Sequence, residues 1–192
     1  MAKRVFFSFH YDDVKAFRAN VVRNHGYLKG NQEAGFFDAS IWEDAKTHGP
    51  ASVKKLIDNN LTNTTVTCVL IGSSTWSRRW VRYEIMKSYD RGNALIGIHI
   101  NSVKDKNQQT HGKGVNPFDH LGFDINADGG RRYQEHDGGK WIVYGDLNSS
   151  AMNYDAKWRN KGYKLGNWIP TYDWVADSGF NNFGTWVEKV GA

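Results

Sequence analysis

Glu84 is the side chain whose type and surroundings in this sequence most favour chemistry. It stands four residues after Trp80, which places the two side chains on the same side of a helix. The apolar, β-branched run at residues 66–72 comes before them and predicts a buried strand that ends at a glycine. Open α/β sheets carry their chemistry just beyond the carboxyl ends of such strands. Glu84 is therefore our candidate catalytic carboxylate, and Trp80 is either a wall of its site or a core residue of the helix.

Other residue patterns exclude several kinds of site. The seven histidines show no metal-ligand spacing and no Cys/His cluster is present, so we expect no metal. The sequence has no Gly-x-Gly-x-x-Gly or phosphate-loop pattern. A nucleotide would consequently enter as a substrate, and we expect no resident cofactor.

The excess positive charge lies entirely in the first half of the chain. Residues 1–100 hold 14 Lys/Arg and 9 Asp/Glu, whereas residues 101–192 hold 11 of each. The densest basic cluster consists of Arg78, Arg79, Arg82, Lys87 and Arg91. This cluster is either a solvated helix face or a positive rim that attracts a phosphate-bearing substrate to Glu84. Basic and aromatic residues do not alternate along a strand, so nucleic-acid binding is not favoured.

Strands and helices alternate over the first hundred residues. The predicted strands cover residues 4–10, 35–42, 66–72 and 94–100. The predicted helices begin at Asp12-Asp13 (with apolar Val14, Phe17, Val21 and Val22), at about Ala51, and after Ser73-Ser74, whose hydroxyls can cap the Glu84 helix. This alternation predicts an α/β fold, a parallel sheet with helices on both faces.

Residues 101–192 form an aromatic-rich extension that we expect to pack on the core formed by residues 1–100. Residues 101–117 are polar and predict a long loop. Turn signals at 128–130 and 137–139 flank predicted hairpin strands at 131–136 and 140–144. A terminal helix is predicted from about Phe180 to Val190. The extension holds five of the eight tryptophans, which we assign to the core rather than to a ligand site.

The cellular setting can also be predicted from composition. No apolar run approaches the roughly 20 residues that a membrane helix needs. The sequence enters a strand pattern directly, without a signal peptide, and its single cysteine, Cys68, lies in an apolar run. We therefore expect a cytoplasmic protein with Cys68 as a small core residue.

Four segments of the sequence, taken in order, resemble the boxes of the TIR domain. These segments are Val5–Asp13, Gly35–Asp38, Val69–Ser73 and Trp80–Glu84. The whole chain resembles more closely the TIR-like ThsB proteins of the bacterial Thoeris anti-phage system, including the tail segments 116–119 and 172–177. The resemblance implies a TIR-like, flavodoxin-like sheet.

The resemblance also implies an activity. Enzymatic TIR domains cleave the bond between nicotinamide and ribose in NAD, and the glutamate of the Trp-x-x-x-Glu helix, here Glu84, is the catalytic residue. ThsB-type proteins turn NAD into a cyclic ADP-ribose isomer that activates a ThsA-type effector. We accordingly expect NAD as substrate, a phage-derived trigger, a diffusible signal to such an effector, and a homo-oligomer without membrane attachment.

Six further residues are candidates for substrate contact. They are Phe6, Ser8, His10, Asp38, Trp80 and Arg82. Phe6, Ser8 and His10 share one face of the first strand, although Phe6 and Ser8 are equally compatible with the core. His10 replaces an arginine often seen in TIR domains and could hydrogen-bond a pyrophosphate. Asp38 could contact substrate or cap the end of its strand.

Three functions remain open at the level of sequence. The first is an NAD-cleaving enzyme, in which a carboxylate stabilises the oxocarbenium-like ribose left by nicotinamide. The second is a non-catalytic TIR module that binds other proteins, and the third is a nucleoside base-exchange or deoxyribosyl-transfer enzyme. Trp80 with Glu84 favours catalysis, and the arginine cluster favours a pyrophosphate-bearing substrate over a bare nucleoside.

Overall fold

A four-stranded parallel sheet forms the centre of the protein. The computed structural model describes residues 3–25, 39–148 and 152–191. The parallel strands are β1 (Val5–Ser8), β2 (Val66–Ile71), β3 (Ala94–His99) and β8 (Thr171–Asp173), in the order β1-β2-β3-β8. The helices are α1 (Tyr11–Lys15), α2 (Arg18–Arg23), α3 (Ala39–Thr47), α4 (Pro50–Leu61), α5 (Arg79–Asp90) and α6 (Gly179–Val190). The predicted α/β fold is confirmed.

Both faces of the sheet are covered, and this is why β2 is apolar except for Thr67. All six of its residues are buried. Cys68 and Leu70 pack on one face in the cluster that contains α2 and α6. Val69 and Ile71 pack on the other face with α5. In the described part of the chain, no helix is both long and apolar enough to span a membrane.

A second, antiparallel sheet covers α5 and arises from the extension. Its strands are β4 (Leu121–Ile125), β5 (Arg131–Asp137), β6 (Lys140–Val143) and β7 (Lys161–Lys164), in the order β6-β5-β4-β7. The predicted hairpin is confirmed, with Gly138 and Gly139 at φ 53° and 81° between β5 and β6. Alternate residues of β4 pack in the same apolar cluster as α5, so this sheet fixes the helix from outside.

The extension also completes the parallel sheet. Strand β8 pairs with β3 in parallel register from Gly97↔Thr171 to His99↔Asp173. The sequence pattern does not predict β8, because its three residues are polar or aromatic and form no strand pattern. The predicted terminal helix is confirmed as α6, and the Trp186 ring stacks on Tyr172 of β8 at 4.2 Å. The division of the chain at residue 100 stays a prediction, although β8 pairs across it.

The prediction of one continuous helix after Asp12-Asp13 is wrong, because the chain forms two short helices that bury different residues from those expected. Phe17 adopts the left-handed φ of 67°, which ends α1 and starts α2 as a separate helix. This break rotates the second helix, so Phe17 and Val21 are 54% and 45% exposed. Arg18 is buried instead, and it donates to the carbonyl of Val103 and to Asp105 at 3.0 and 3.1 Å. The polar loop after β3 is thereby attached to α2.

Two other local predictions need correction. Residues 39–42, the second half of the predicted strand at 35–42, belong to helix α3, and residues 35–38 lie outside the described residues. The Ser73-Ser74 pair does not cap α5, because a 3₁₀ turn at Thr75–Ser77 intervenes and Arg78 occupies the N-cap position without a side-chain bond. The Thr75 hydroxyl accepts from the Gly72 N–H at 2.9 Å, so the chain turns before the helix begins.

The loop after β3 passes directly over the carboxyl end of β2. A Cβ atom added to Gly114 would lie 2.0 Å from the carbonyl oxygen of Gly72. Such a contact is impossible without moving backbone, so Gly114 permits the close approach. A Cβ added to Gly112, two residues earlier, would meet no atom within 4 Å.

We expect Gly114→Ala to lower the free energy of unfolding by about 1–3 kcal/mol, because overpacking forces the loop away from β2. The matched control Gly112→Ala should change it by less than about 0.5 kcal/mol. Urea denaturation followed by tryptophan fluorescence measures both values. Equal stability of the two variants would contradict the close approach.

Candidate active site

A cleft of about 280 Å³ opens beside the carboxyl end of β1, and Glu84 lies in its wall. The cleft is bounded by the residues that follow β1, by α3, and by the first turns of α5. Its aromatic lining consists of Phe7, Phe9, Tyr11, Trp42 and Trp80. Its polar and charged lining consists of His10, Glu43, Lys46, Arg78, Arg79 and Glu84. This is the end of a parallel sheet at which α/β proteins bind ligands.

Glu84 is a buried carboxyl group with one nearby hydrogen-bond donor. The side chain is 5% exposed, and its Oε2 atom accepts from the Ser8 hydroxyl at 2.5 Å. Burial raises the pKa of Glu84 to about 8, and the Ser8 hydrogen bond acts in the opposite direction. Close to neutral pH the group therefore exchanges between carboxyl and carboxylate forms.

The packing of α5 determines where Glu84 points. Val81 and Ile85 lie on one stripe of the helix and pack against Val69 and Ile71 of the sheet, as predicted. Glu84 precedes Ile85 by one residue and so projects from the side of that stripe toward β1. The apolar packing that anchors the helix also removes water from its carboxyl group.

Two tryptophans form an angled aromatic wall beside Glu84. The ring of Trp42, from α3, meets the ring of Trp80 edge-on at 6.5 Å and 88°. The Arg79 guanidinium lies over the other ring of this pair, Trp80, at 4.7 Å. Flat ligand rings can stack on such surfaces, and the adjacent cations favour an anionic ligand.

The mouth of the cleft carries cationic groups. Arg78 is exposed, and Lys46 of α3 pairs with Glu43 at 2.9 Å with its side chain 44% exposed. Burial lowers the pKa of His10, and the positive charge of Arg78 acts in the same direction. His10 is therefore a neutral imidazole at pH 7, 3.5 Å from Asp12, and it offers hydrogen bonds rather than a fixed charge.

The structure brings Ser8, His10, Trp80 and Glu84 together, but not all of the predicted site residues. Phe6 is fully buried in the cluster formed with α4 and does not line the cleft. Its role in substrate contact stays a prediction that its position does not support.

Arg82 also lies away from the cleft. Its guanidinium donates to the carbonyl of Trp76 at 3.0 Å and pairs with Glu135 of β5 at 2.8 Å. These bonds join α5 to the antiparallel sheet, and a substrate role for Arg82 stays a prediction. Asp38 lies outside the described residues.

The basic cluster divides along α5. Arg78 and Arg79 lie at the cleft, and Arg79 also forms two hydrogen bonds with Asp146. Lys87 pairs with Asp90 at 3.5 Å, and Arg91 is exposed at the far end of the helix. The positive rim is thus limited to the first residues of the cluster, and the rest of it covers the surface.

Helix α3 supplies the functional residues that the sequence prediction missed. Trp42 and Lys46 line the cleft, but they were assigned to a strand and to a loop. Their spacing of four residues is the helical signal that could have identified them. No group of three or more His, Cys, Asp or Glu side chains is arranged to hold a metal within the described residues.

The raised pKa of Glu84 has a consequence for stability. Between about pH 4.5 and pH 8 the native state holds a proton that the unfolded state has lost, so the free energy of unfolding falls as pH rises. Glu84→Gln removes this titration and should gain stability relative to wild type across that window.

Urea denaturation at about pH 5, 6.5 and 8 measures the difference. Glu43→Gln, which removes an exposed carboxylate from the same cleft, serves as control and should show no such gain. A Glu84→Gln difference that stays constant with pH would show that Glu84 titrates normally.

Comparisons with known proteins agree with this geometry. The family model described as Thoeris protein ThsB, TIR-like domain, matches residues 6–105, which include all of α5 and all of β1 except for Val5. A protein of Bacillus cereus (strain MSX-D12), whose provisional name is cyclic ADP-D-ribose synthase ThsB1, is 56% identical over 191 residues. The match covers 97% of this chain and 100% of the relative. This chain therefore belongs to the TIR-like ThsB family of Thoeris proteins.

Proposed function

We propose that this protein cleaves NAD at the bond between nicotinamide and ribose and closes the ADP-ribose into a cyclic signal. The observation that carries the proposal is the buried carboxyl group of Glu84 in a cleft with aromatic walls and a cationic mouth. The relative named as a cyclic ADP-D-ribose synthase supports the same reaction.

Glu84 would act on the ribose. When the bond between ribose C1′ and the nicotinamide nitrogen breaks, the electron pair leaves with neutral nicotinamide and C1′ becomes an oxocarbenium ion. A carboxylate in a dry site stabilises that developing charge more than water does. Because nicotinamide in NAD is already a cationic leaving group, no general acid is required.

The protonation of Glu84 fits this step. In the free protein, burial favours the neutral carboxyl group. The positive charge of the bound nicotinamide ring would favour the carboxylate, because an opposite charge nearby lowers the pKa of an acid. Substrate binding would thus produce the ionised form that the reaction uses.

Cyclisation requires an atom of the same ADP-ribose to reach C1′ before water does. A hydroxyl or ring nitrogen of the substrate would form the new bond to C1′, and a nucleophilic hydroxyl would pass its proton to the Glu84 carboxylate. The aromatic rings of Trp42 and Trp80 flank Glu84 and offer surfaces for the adenine and the nicotinamide. Stacked rings would fold the dinucleotide and exclude water.

The pyrophosphate would lie at the cationic mouth. Arg78 and Lys46 approach the cleft from α5 and α3, and both side chains are exposed. Charge-assisted bonds from such groups orient a phosphate. His10 can add a hydrogen bond as a neutral imidazole.

The product would act as a diffusible message. In the proposed pathway a phage-derived trigger activates this protein, and the cyclic ADP-ribose isomer then activates a ThsA-type effector. NAD would serve as substrate, and no cofactor is needed for the reaction. Self-association of the protein is part of the same proposal.

The two alternatives fit the site less well. In Glu84, burial opposes the ionisation of the carboxyl group. A module that only binds proteins gains nothing from such a group. An enzyme acting on bare nucleosides gains nothing from Arg78 and Lys46 at the cleft. NAD cleavage makes use of both features.

Glu84→Gln should abolish the nucleotide product, because an amide cannot supply the negative charge that stabilises the ribose cation. Removal of one group that stabilises transition-state charge costs about 10²–10³-fold in rate. Mass spectrometry of lysates from phage-infected cells measures the ADP-ribose isomers. Glu188→Gln, on the exposed side of α6, is the control and should match wild type. Equal isomer levels in cells carrying Glu84→Gln would refute the assignment.

Arg78→Ala should weaken NAD binding with little effect on the chemical step, because it removes a cation from the mouth of the cleft and leaves Glu84 in place. We expect KM for NAD to rise about tenfold, the equivalent of one charge-assisted hydrogen bond. Arg91→Ala, at the other end of α5, is the matched control and should leave KM unchanged. NAD titration of desalted lysates from infected cells gives KM for each variant. An equal KM in the two variants would show that Arg78 does not bind the substrate.

A further inference from the structure

Ser8 contacts Glu84 from inside the protein rather than from the cleft. It is the last residue of β1, it is 0% exposed, and it pairs with Val69 in the parallel register of β1 and β2. It does not line the cleft, whereas Glu84 does. A direct substrate contact by Ser8 therefore stays a prediction that its position does not support.

A hydrogen bond joins these two side chains inside the protein. The Ser8 hydroxyl donates to Oε2 of Glu84, and the two oxygen atoms are 2.5 Å apart. Among the described residues, Ser8 supplies the hydrogen bond that Glu84 receives.

We propose that Ser8 is a positioning residue that fixes the rotation of the Glu84 side chain and stabilises its carboxylate form when a bound substrate favours ionisation. This inference rests on the proposed function, since it assigns to Ser8 the control of the group that stabilises the ribose cation. Direct substrate contact by Ser8 stays a prediction. The β1–β2 pairing fixes the backbone position from which the Ser8 hydroxyl reaches Glu84.

The direction of the pKa shift agrees with this role. Burial raises the pKa of Glu84, and the hydrogen bond from Ser8 is the opposing cause. The titratable groups that share the cleft with Glu84 are His10, Tyr11, Glu43, Lys46, Arg78 and Arg79. None of these groups contributes to the pKa shift of Glu84. Removal of the Ser8 hydroxyl therefore changes one interaction of Glu84, its hydrogen bond with Ser8.

Ser8→Ala should raise the pH at which Glu84 ionises by about one to two units, because a hydrogen bond to a charged group is lost. The direct measurement is a carbon-13 NMR titration of glutamate-labelled protein, with Glu84→Gln used to assign the signal. The acid limb of the pH profile of kcat/KM, measured in lysates from infected cells, should move by the same amount. Activity should recover at high pH.

Ser88→Ala is the matched control. Ser88 lies one helical turn after Glu84 on α5, is 0% exposed, and shares a 2.7 Å hydrogen bond with Thr67. The substitution removes a buried hydroxyl that bonds Thr67 and not the Glu84 carboxyl group, so the titration of Glu84 should match wild type. If Ser8→Ala does not fold, Ser8→Cys is the second variant, because a thiol has a similar shape to the hydroxyl and is a weaker hydrogen-bond donor. It should raise the pKa of Glu84 by a smaller amount.

The outcomes separate the two proposals. An unchanged Glu84 titration in Ser8→Ala or in Ser8→Cys overturns the role of Ser8, whatever the enzyme does. A shift of the same size in Ser88→Ala also overturns it, since the effect would then come from general loosening of α5. Absence of ADP-ribose isomers in infected wild-type cells overturns the proposed function, while the NMR titration still decides whether Ser8 controls Glu84.

Discussion

The burial of Glu84 against β1 is the interaction on which the rest of the site depends. Helix α5 lies on the parallel sheet through Val81 and Ile85, and this packing carries the carboxyl group into a place without water. The antiparallel sheet then closes over the opposite side of the helix, with the Arg82–Glu135 ion pair at 2.8 Å as one connection. A carboxyl group held in this way costs stability, and proteins retain such costs at functional sites.

Different elements of the fold contribute different groups to the cleft. The sheet and α5 provide a fixed carboxyl group, whereas α3 brings Trp42 and Lys46 from a separate part of the chain. Sites on rigid elements hold their geometry better than sites on loops.

The sequence predicts the elements whose signal is local and strong. Strand β2, helix α5, the glycine turn of the β5–β6 hairpin and the terminal helix were all identifiable. Prediction failed where tertiary contacts override local pattern. Three-residue β8 is a strand because β3 pairs with it, and Arg18 is buried because carbonyl groups of a distant loop accept its hydrogen bonds. Ser8 and Glu84 are predicted site residues, but the hydrogen bond between them follows from the packing of α5 on β1 and has no signal in the sequence.

The pairing of β8 with β3 affects the order in which this protein can be completed during synthesis. Residues 171–173 pair with residues 97–99, which leave the ribosome more than seventy residues earlier. Until residues 171–190 have emerged, the outer edge of β3 lacks this strand, and the face that α6 covers stays open to water. Contacts this distant in sequence also slow folding. The sheet on which the Glu84 helix packs therefore reaches its final form only after residues 171–173 have been made, and a nascent chain carries Glu84 long before it has the complete fold around it.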